Sequence, residues 1–145
     1  MVFEVQENSD VTFRLYDWDH VDAKTGHPRL LQVEQALACV DFTQGAIGPV
    51  APMVEEAKPV LRERLFDCEH FQVWRFCGEL PWGVGAERTP RVLVCLAGDG
   101  QMEHDGAKCI FGKGDVLLLP AVVGACLCRP NGAISLLEIS LPEGT

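Results

Sequence analysis

The sequence predicts a mainly β protein with one amphipathic helix, on the evidence of its short apolar runs, its turn chemistry and one helical repeat. From Val60 onward, short apolar runs alternate with glycine, proline or acidic turns. Gly98-Asp99-Gly100 and Asp105-Gly106 have the composition of tight turns, where glycine adopts positive φ without steric cost. Strands at short, regular intervals are typical of an antiparallel sandwich or small barrel. The predicted strands are residues 60–66, 71–77, 91–96, 101–103, 109–111, 116–119, 125–129 and 133–141.

One helix is predicted, over residues 29–40, directly after a turn-rich loop. Apolar residues recur there at helical spacing: Leu30, Val33, Leu37 and Val40. The glycines and prolines of residues 43–52 then predict a connector. We therefore expect an amino-terminal β appendage with two strands, a loop, the helix and the connector over residues 1–52. A β domain should follow over residues 53–145.

Composition limits the classes of partner. With 145 residues and 48% hydrophobic content, the chain can bury one ordinary core. Its 12 basic and 21 acidic residues give a net charge of -9, which disfavours binding to nucleic acid or to anionic membrane surfaces. The longest apolar run, residues 116–128, is broken by Pro120 and Gly124 and is shorter than the roughly 20 residues that span a bilayer. We expect no nucleic-acid partner and no membrane partner.

The seven cysteines are expected to be mostly buried thiols. Their number is odd and no pair has the Cys-x-x-Cys spacing of a zinc knuckle or redox motif. Four lie in apolar, strand-like runs: Cys95, Cys109, Cys126 and Cys128. Cys126 and Cys128 could also share a strand face and contact a metal, although no further paired ligand accompanies them. Reduced thiols without a signal peptide predict a cytoplasmic protein.

Residues 9–19, Ser-Asp-Val-Thr-Phe-Arg-Leu-Tyr-Asp-Trp-Asp, form the most informative segment. Val11, Phe13 and Leu15 alternate with polar residues, which predicts a half-buried strand. The polar face would carry Asp10, Thr12, Arg14 and Tyr16. Such a face is either a solvated surface with an ion pair worth about 0–1 kcal/mol or one wall of an active site.

Together with residues 3–6 before it and residues 22–26 and 28–29 after it, this segment resembles the type I mannose-6-phosphate isomerases. In that family a Gln-rich strand, a Ser-Asp pair and a Tyr-Arg-Leu-Tyr-Asp-Trp run follow one another. The similarity continues through the predicted helix into the carboxy-terminal barrel. It covers nearly the whole chain but only the last portion of the family. The resemblance implies that residues 1–52 are the tail of the family's first cupin domain.

Two later motifs resemble the cupin jelly roll, also called a double-stranded β-helix. Residues 92–100 resemble the cupin strand that ends in a glycine turn, and residues 112–121 resemble the later strand that runs from Gly-Asp to Pro. Metal-binding cupins have a His-x-His pair and a Glu before the first motif and another His after the proline. No histidine lies between Gln72 and Glu103, and Ala125 stands near the later position. Residues 53–145 should therefore form a cupin-type jelly-roll barrel without that metal triad.

The resemblance implies interconversion of mannose 6-phosphate and fructose 6-phosphate, with zinc polarising a substrate oxygen and an acid/base group moving a proton between C2 and C1. Arg14 and Asp10 match the Tyr-Arg and Ser-Asp positions that face the family's active site. Arg14 would bind substrate oxygens and enediolate charge, and Asp10 would orient or relay a proton at a hydroxyl.

The family's zinc ligands are a Gln and a His from one strand, a Glu and a later His, all upstream of the matching segment. We therefore expect this chain to bind no zinc. Its four histidines lie in or beside predicted loops and are expected at the surface: His20, His27, His70 and His104.

Three functional hypotheses follow. The favoured one is the carboxy-terminal part of a mannose-6-phosphate isomerase, inactive as this chain alone because the zinc ligands are absent. The second is a metal-free cupin that binds a sugar phosphate through Arg14, as a binding or regulatory module. The third is a structural domain that forms a homodimer through an exposed sheet edge, since unpaired edges promote association.

Overall fold

A computed structural model describes residues 3–6, 9, 11–46 and 48–142. The chain divides into two compact units, residues 1–49 and residues 50–145. This division lies near the boundary expected from the sequence, between residues 52 and 53. The assignment of the two parts to two different cupin domains stays a prediction. No helix in the described part of the chain combines the length and apolar character that crossing a membrane requires.

The first unit lacks the strand predicted around Arg14. Residues 11–16 form no strand, and Val11, Phe13 and Leu15 are exposed while Arg14 is half-buried. A strand needs a partner for its backbone N–H and C=O groups. Within the described residues of this unit, the one β-type pairing is the isolated bridge between Val21 and Pro28. The predicted half-buried strand is therefore wrong for these residues, because no ladder forms to support it.

The helix of the first unit, α1, is shorter than predicted and runs over Val33–Ala38. Gln32 precedes it, but its side-chain oxygen accepts a hydrogen bond from the backbone of Arg14 and does not cap the helix. Ala36 is its buried residue, whereas Leu30 is 78% exposed and Leu37 is 47% exposed. A helix thus lies where the sequence predicted one. It is shorter than predicted, and the apolar residues expected on its buried face are exposed.

The second unit consists of ten strands. They are β1 Met53–Glu56, β2 Leu61–Asp67, β3 Gln72–Gly78, β4 Trp82–Val84, β5 Arg91–Ala97, β6 Asp99–His104, β7 Ala107–Gly112, β8 Val116–Leu119, β9 Cys126–Pro130 and β10 Ile134–Ser140. The eight predicted strands are present, with ends shifted by a few residues. Sequence reasoning missed β1, which is exposed throughout, and β4, which has three residues between proline and glycine.

The strands form two antiparallel sheets. The larger has the order β1-β2-β3-β10-β5-β8 and the smaller the order β4-β9-β6-β7. Asp105 and Gly106 join β6 to β7 with φ of 46° and 80°. Two consecutive positive φ angles are the geometry of a type I′ hairpin turn, in agreement with the turn composition. The order of the strands brings residues far apart in the chain into neighbouring positions of one sheet.

The core lies between the two sheets and takes side chains from both. Leu93, Cys95 and Leu136 of the larger sheet and Cys128 of the smaller sheet are fully buried. Burial raises the pKa of the Cys128 thiol to about 12. The expectation of mostly buried thiols is wrong, because three of the seven are buried: Cys95, Cys126 and Cys128. Cys109, predicted in an apolar strand, lies on the edge strand β7 and is exposed.

Candidate functional site

The first candidate site surrounds Arg14, because Asp10 lies outside the described residues. The backbone of Arg14 is held at two points by Gln32. The N–H of Arg14 donates to Oε1 of Gln32 at 3.0 Å, and the N–H of Gln32 donates to the carbonyl of Arg14 at 2.9 Å. These two bonds replace the missing strand pairing and fix the residue from which the guanidinium extends.

The guanidinium of Arg14 has only one ionic contact in the described part of the chain. Its Nε lies 3.7 Å from Oδ1 of Asp17, without a hydrogen bond. Arg29 binds both carboxylate oxygens of Asp17, with Nε donating to Oδ2 at 2.7 Å and Nη2 donating to Oδ1. These hydrogen bonds lower the pKa of Asp17 and raise the pKa of Arg29. Asp17 is therefore satisfied by Arg29, and Arg14 keeps donors for another oxygen.

An aromatic pair and a tight turn follow Arg14 in the chain. The rings of Tyr16 and Trp18 meet edge to face at 5.5 Å, and Trp18 is 82% exposed. Asp22 accepts hydrogen bonds from the backbone N–H groups of Lys24 and Thr25, which lower its pKa. This arrangement can bind an oxyanion through Arg14. Asp17 and Asp22 are both engaged by contacts within their own unit.

A zinc site does not fit the part of the chain that the structure describes. Zinc needs three or four nitrogen, sulfur or oxygen donors at about 2.0–2.3 Å. The described residues contain no group of three His, Cys, Asp or Glu side chains placed to hold a metal. Cys126 and Cys128 belong to the core cluster. Nε2 of His104 lies 3.4 Å from Oδ2 of Asp105 at the partly exposed β6–β7 turn. The other three histidines, His20, His27 and His70, are exposed.

Sequence reasoning missed a second candidate site, a cavity of about 450 Å³ in the second unit. This barrel cavity is lined by residues of several strands, among them Arg62, Trp82, Arg91 and Glu138. Arg91 is 7% exposed, and its Nε lies 3.3 Å from Oε1 of Glu138. The other carboxylate oxygen of Glu138 accepts the backbone N–H of Gly85 at 3.2 Å. The sequence did contain a signal for this site, because each of two apolar strands includes a charged residue. These residues are Arg91 in β5 and Glu138 in β10.

Curated relatives of the chain are mannose-6-phosphate isomerases. ManA of Bacillus subtilis is 30% identical over 129 residues, which cover 86% of this chain and 39% of that protein. The mannose-6-phosphate isomerase of Streptococcus mutans is 30% identical over 125 residues, which cover 85% of this chain and 38% of that protein. The chain thus spans well under half the length of the curated relatives it matches. No protein-family model matches it.

Solved structures give the fold. The crystal structure of the mannose 6-phosphate isomerase from Bacillus subtilis has a TM-score of 0.72 at 24% identity, covering 91% of this chain and 41% of that one. An RmlC-like cupin from Shewanella frigidimarina has a TM-score of 0.54 at 16% identity, covering 64% of this chain and 86% of that one. The predicted cupin-type barrel is confirmed. By its sequence and its fold, the chain belongs to the mannose-6-phosphate isomerase family, as a segment that matches less than half of a relative's length.

Proposed function

We propose that the chain serves as the carboxy-terminal part of a mannose-6-phosphate isomerase and lacks isomerase activity by itself. Its similarity to two curated isomerases supports the reaction, the interconversion of mannose 6-phosphate and fructose 6-phosphate. The lack of activity is supported by the described residues, which contain no group of side chains that could hold zinc. In this proposal the metal is held by protein outside the segment that this chain matches.

Arg14 is the proposed substrate-binding and catalytic residue. Its anchored backbone and its loosely paired guanidinium carry this assignment. A positioned guanidinium can hold substrate oxygens with two parallel hydrogen bonds and stabilise the negative charge that develops on an enediolate. We assign Asp10 a second role, orienting a sugar hydroxyl or relaying a proton at it.

The apolar surface of the first unit supports its assignment as the tail of a first cupin domain. Several large apolar side chains there are more than two thirds exposed: Val11, Trp18, Leu30 and Phe42. Exposed apolar side chains of this size are found where other protein binds, when they lie together on a surface. We propose that further protein covers it in the working enzyme.

A chimera tests the role of Arg14. This chain would replace the matching segment of Bacillus subtilis ManA, and isomerase activity would be measured with zinc present. We expect Arg14→Ala to lower kcat/KM by about 100-fold or more, the scale for loss of a donor to developing charge. Lys24→Ala, which removes an exposed cation of the same unit, should change it less than about twofold. A folded chimera in which Arg14→Ala keeps full activity would refute the role of Arg14.

The purified 145-residue chain tests the proposed inactivity. With stoichiometric zinc and mannose 6-phosphate, we expect no turnover in a coupled assay for fructose 6-phosphate. Measurable turnover that chelation abolishes would overturn this part of the proposal.

The second candidate, a sugar-phosphate-binding module, is favoured by the free donors of Arg14. It requires saturable binding of mannose 6-phosphate to the isolated chain and loss of that binding in Arg14→Ala. Calorimetric titration of both proteins decides it. If the isolated chain shows no Arg14-dependent binding, the module hypothesis is rejected.

The third candidate, a homodimer through a sheet edge, would use β8. This strand lies at the edge of the larger sheet, and Val116 and Leu118 are 61% and 65% exposed. Exposed apolar edge strands promote association. Light scattering at several protein concentrations tests this candidate, and a monomer at every concentration rejects it.

A further inference from the structure

We propose that the barrel cavity binds a small hydroxylated oxyanion, such as the phosphate ester or carboxylate of a monosaccharide. The residues that line this cavity all belong to the second unit, whereas Arg14 belongs to the first. The inference therefore holds or fails independently of the isomerase proposal.

Unpaired donors mark the cavity as a binding site. Three buried side-chain nitrogens in the described residues make no hydrogen bond to the protein: Nε of Arg62, Nε1 of Trp82 and Nε of Arg91, the last of which lies 3.3 Å from Oε1 of Glu138 as an ion pair without hydrogen-bond geometry. All three residues line the barrel cavity. Buried donors are nearly always paired in folded proteins, because an unmet donor loses its hydration without compensation. A ligand rich in acceptor atoms, seated between these three residues, would supply the missing partners.

The charges of the cavity favour an anionic group beside Arg62. Arg91 and Glu138 neutralise each other at 3.3 Å. The guanidinium of Arg62 instead stacks 4.1 Å from the ring centre of Trp74 and has no ion pair among the described residues. Glu56 stands opposite Arg62 in the β1–β2 pairing, but the two side chains form no ion pair. A phosphate or carboxylate oxygen would supply both the missing charge and acceptors for its N–H groups.

The rest of the cavity suits a hydroxylated ligand body. Glu56 and Glu138 line the same space and offer carboxylate oxygens to hydroxyl donors. Phe76 and Trp82 stack with ring centres 6.3 Å apart and an interplanar angle of 16°, which provides an apolar surface for the C–H groups of a sugar ring. The volume of about 450 Å³ lies within the usual range for small-molecule sites. A bare anion would leave these features unused.

The binding test monitors the indole N–H signals of the three tryptophans by two-dimensional NMR. The probes are inorganic phosphate, mannose 6-phosphate, gluconate and, as a neutral control, mannose. We expect a saturable shift of the Trp82 signal, assigned by its loss in Trp82→Phe, with a hydroxylated anion and a weaker response to inorganic phosphate. Saturation by mannose 6-phosphate identifies a phosphate site, saturation by gluconate identifies a carboxylate site, and saturation by both identifies a site for either oxyanion.

Two arginines of β2 provide a matched pair of variants. Arg62 lines the cavity, whereas Arg64, also near the Trp74 ring at 5.9 Å, does not line it and pairs with Glu55 and Asp67. We expect Arg62→Met to weaken anion binding by about tenfold or more and Arg64→Met by less than about twofold. Thermal melting confirms that both variants are folded. Arg14→Ala should leave the Trp82 response unchanged.

Several results would overturn the inference. They are the absence of any saturable Trp82 shift, equal binding of mannose and the anions, and equal losses in Arg62→Met and Arg64→Met. A response confined to Trp18, four residues after Arg14, would also reject the barrel cavity and would support the Arg14 site instead.

Discussion

The two units show that a local sequence pattern does not decide by itself where a strand forms. Apolar and polar residues alternate at residues 11–16, which form no strand, whereas β2 opens with three consecutive charged residues after Leu61 and is a strand. β2 pairs with β1 on one side and with β3 on the other. Residues 11–16 have no ladder in the described part of their unit. Backbone pairing with neighbouring strands, rather than alternation alone, therefore decides which stretch becomes a strand.

The two units also differ in what stabilises them. The second unit encloses a core with Leu93 and Leu136 fully buried, while Ala36 is the buried apolar residue of the first unit's described part. The first unit is held by polar contacts, such as those between Asp17 and Arg29. Because exposed ion pairs contribute little, we expect its stability to be low and to depend on whatever protein covers it. Three sets of substitutions test this comparison.

The largest expected effect comes from a core leucine of the second unit. Leu136→Ala should lower the free energy of unfolding by about 2–5 kcal/mol, because it leaves a cavity in a fully buried position. Leu30→Ala in the first unit, where the side chain is 78% exposed, should change it by less than about 0.5 kcal/mol. Urea unfolding followed by tryptophan fluorescence measures both. Similar losses in the two variants would contradict the contrast between the units.

A glycine pair measures how tightly the barrel is packed. Gly98 and Gly106 both have φ of +80°, so alanine is strained at either position. A Cβ at Gly98 would lie within van der Waals overlap of the Ala133 carbonyl oxygen, whereas nothing lies within 4 Å of a Cβ at Gly106. Gly98→Ala should therefore cost about 1–3 kcal/mol more than Gly106→Ala. Equal losses of stability in the two variants, measured by thermal unfolding, would show that the backbone around Gly98 shifts to accommodate the added Cβ.

The smallest expected effect concerns acid stability. Hydrogen bonds from Arg129 and Lys108 lower the pKa of Glu103. A carboxyl with a lowered pKa stabilises the fold above its unfolded pKa, and this contribution disappears as the pH falls through the folded pKa. Glu103→Gln should thus reduce the loss of stability that occurs as the pH falls below the ordinary glutamate pKa of about 4.3. Asp17→Asn should leave the unfolding of the barrel unchanged at every pH, and an effect equal to that of Glu103→Gln would contradict the independence of the units.

Local patterns predicted most of the barrel but not its cavity. Alternation and turn composition located eight of its strands, and the Asp105-Gly106 turn has the predicted positive φ angles. β4 was missed because its three residues are too few to show a period. Arg14 and Asp10 were both assigned from a motif, and both assignments stay predictions. The barrel cavity was missed because Arg62, Trp82, Arg91 and Glu138 come from four strands that only the sheet order brings together.

The sequence by itself determined the family, the mainly β class and the positions of most strands, because motifs, turns and period are local properties of the chain. The tertiary structure decided that residues 11–16 remain without a ladder, that α1 is short, and that three unpaired donors meet in one cavity. The physical reason is that hydrogen-bond pairing and burial depend on residues distant in the chain. Arg14 has spare donors because Arg29 satisfies Asp17, and Arg62 has them because its guanidinium lies over the Trp74 ring and forms no ion pair with Glu56 on the neighbouring strand.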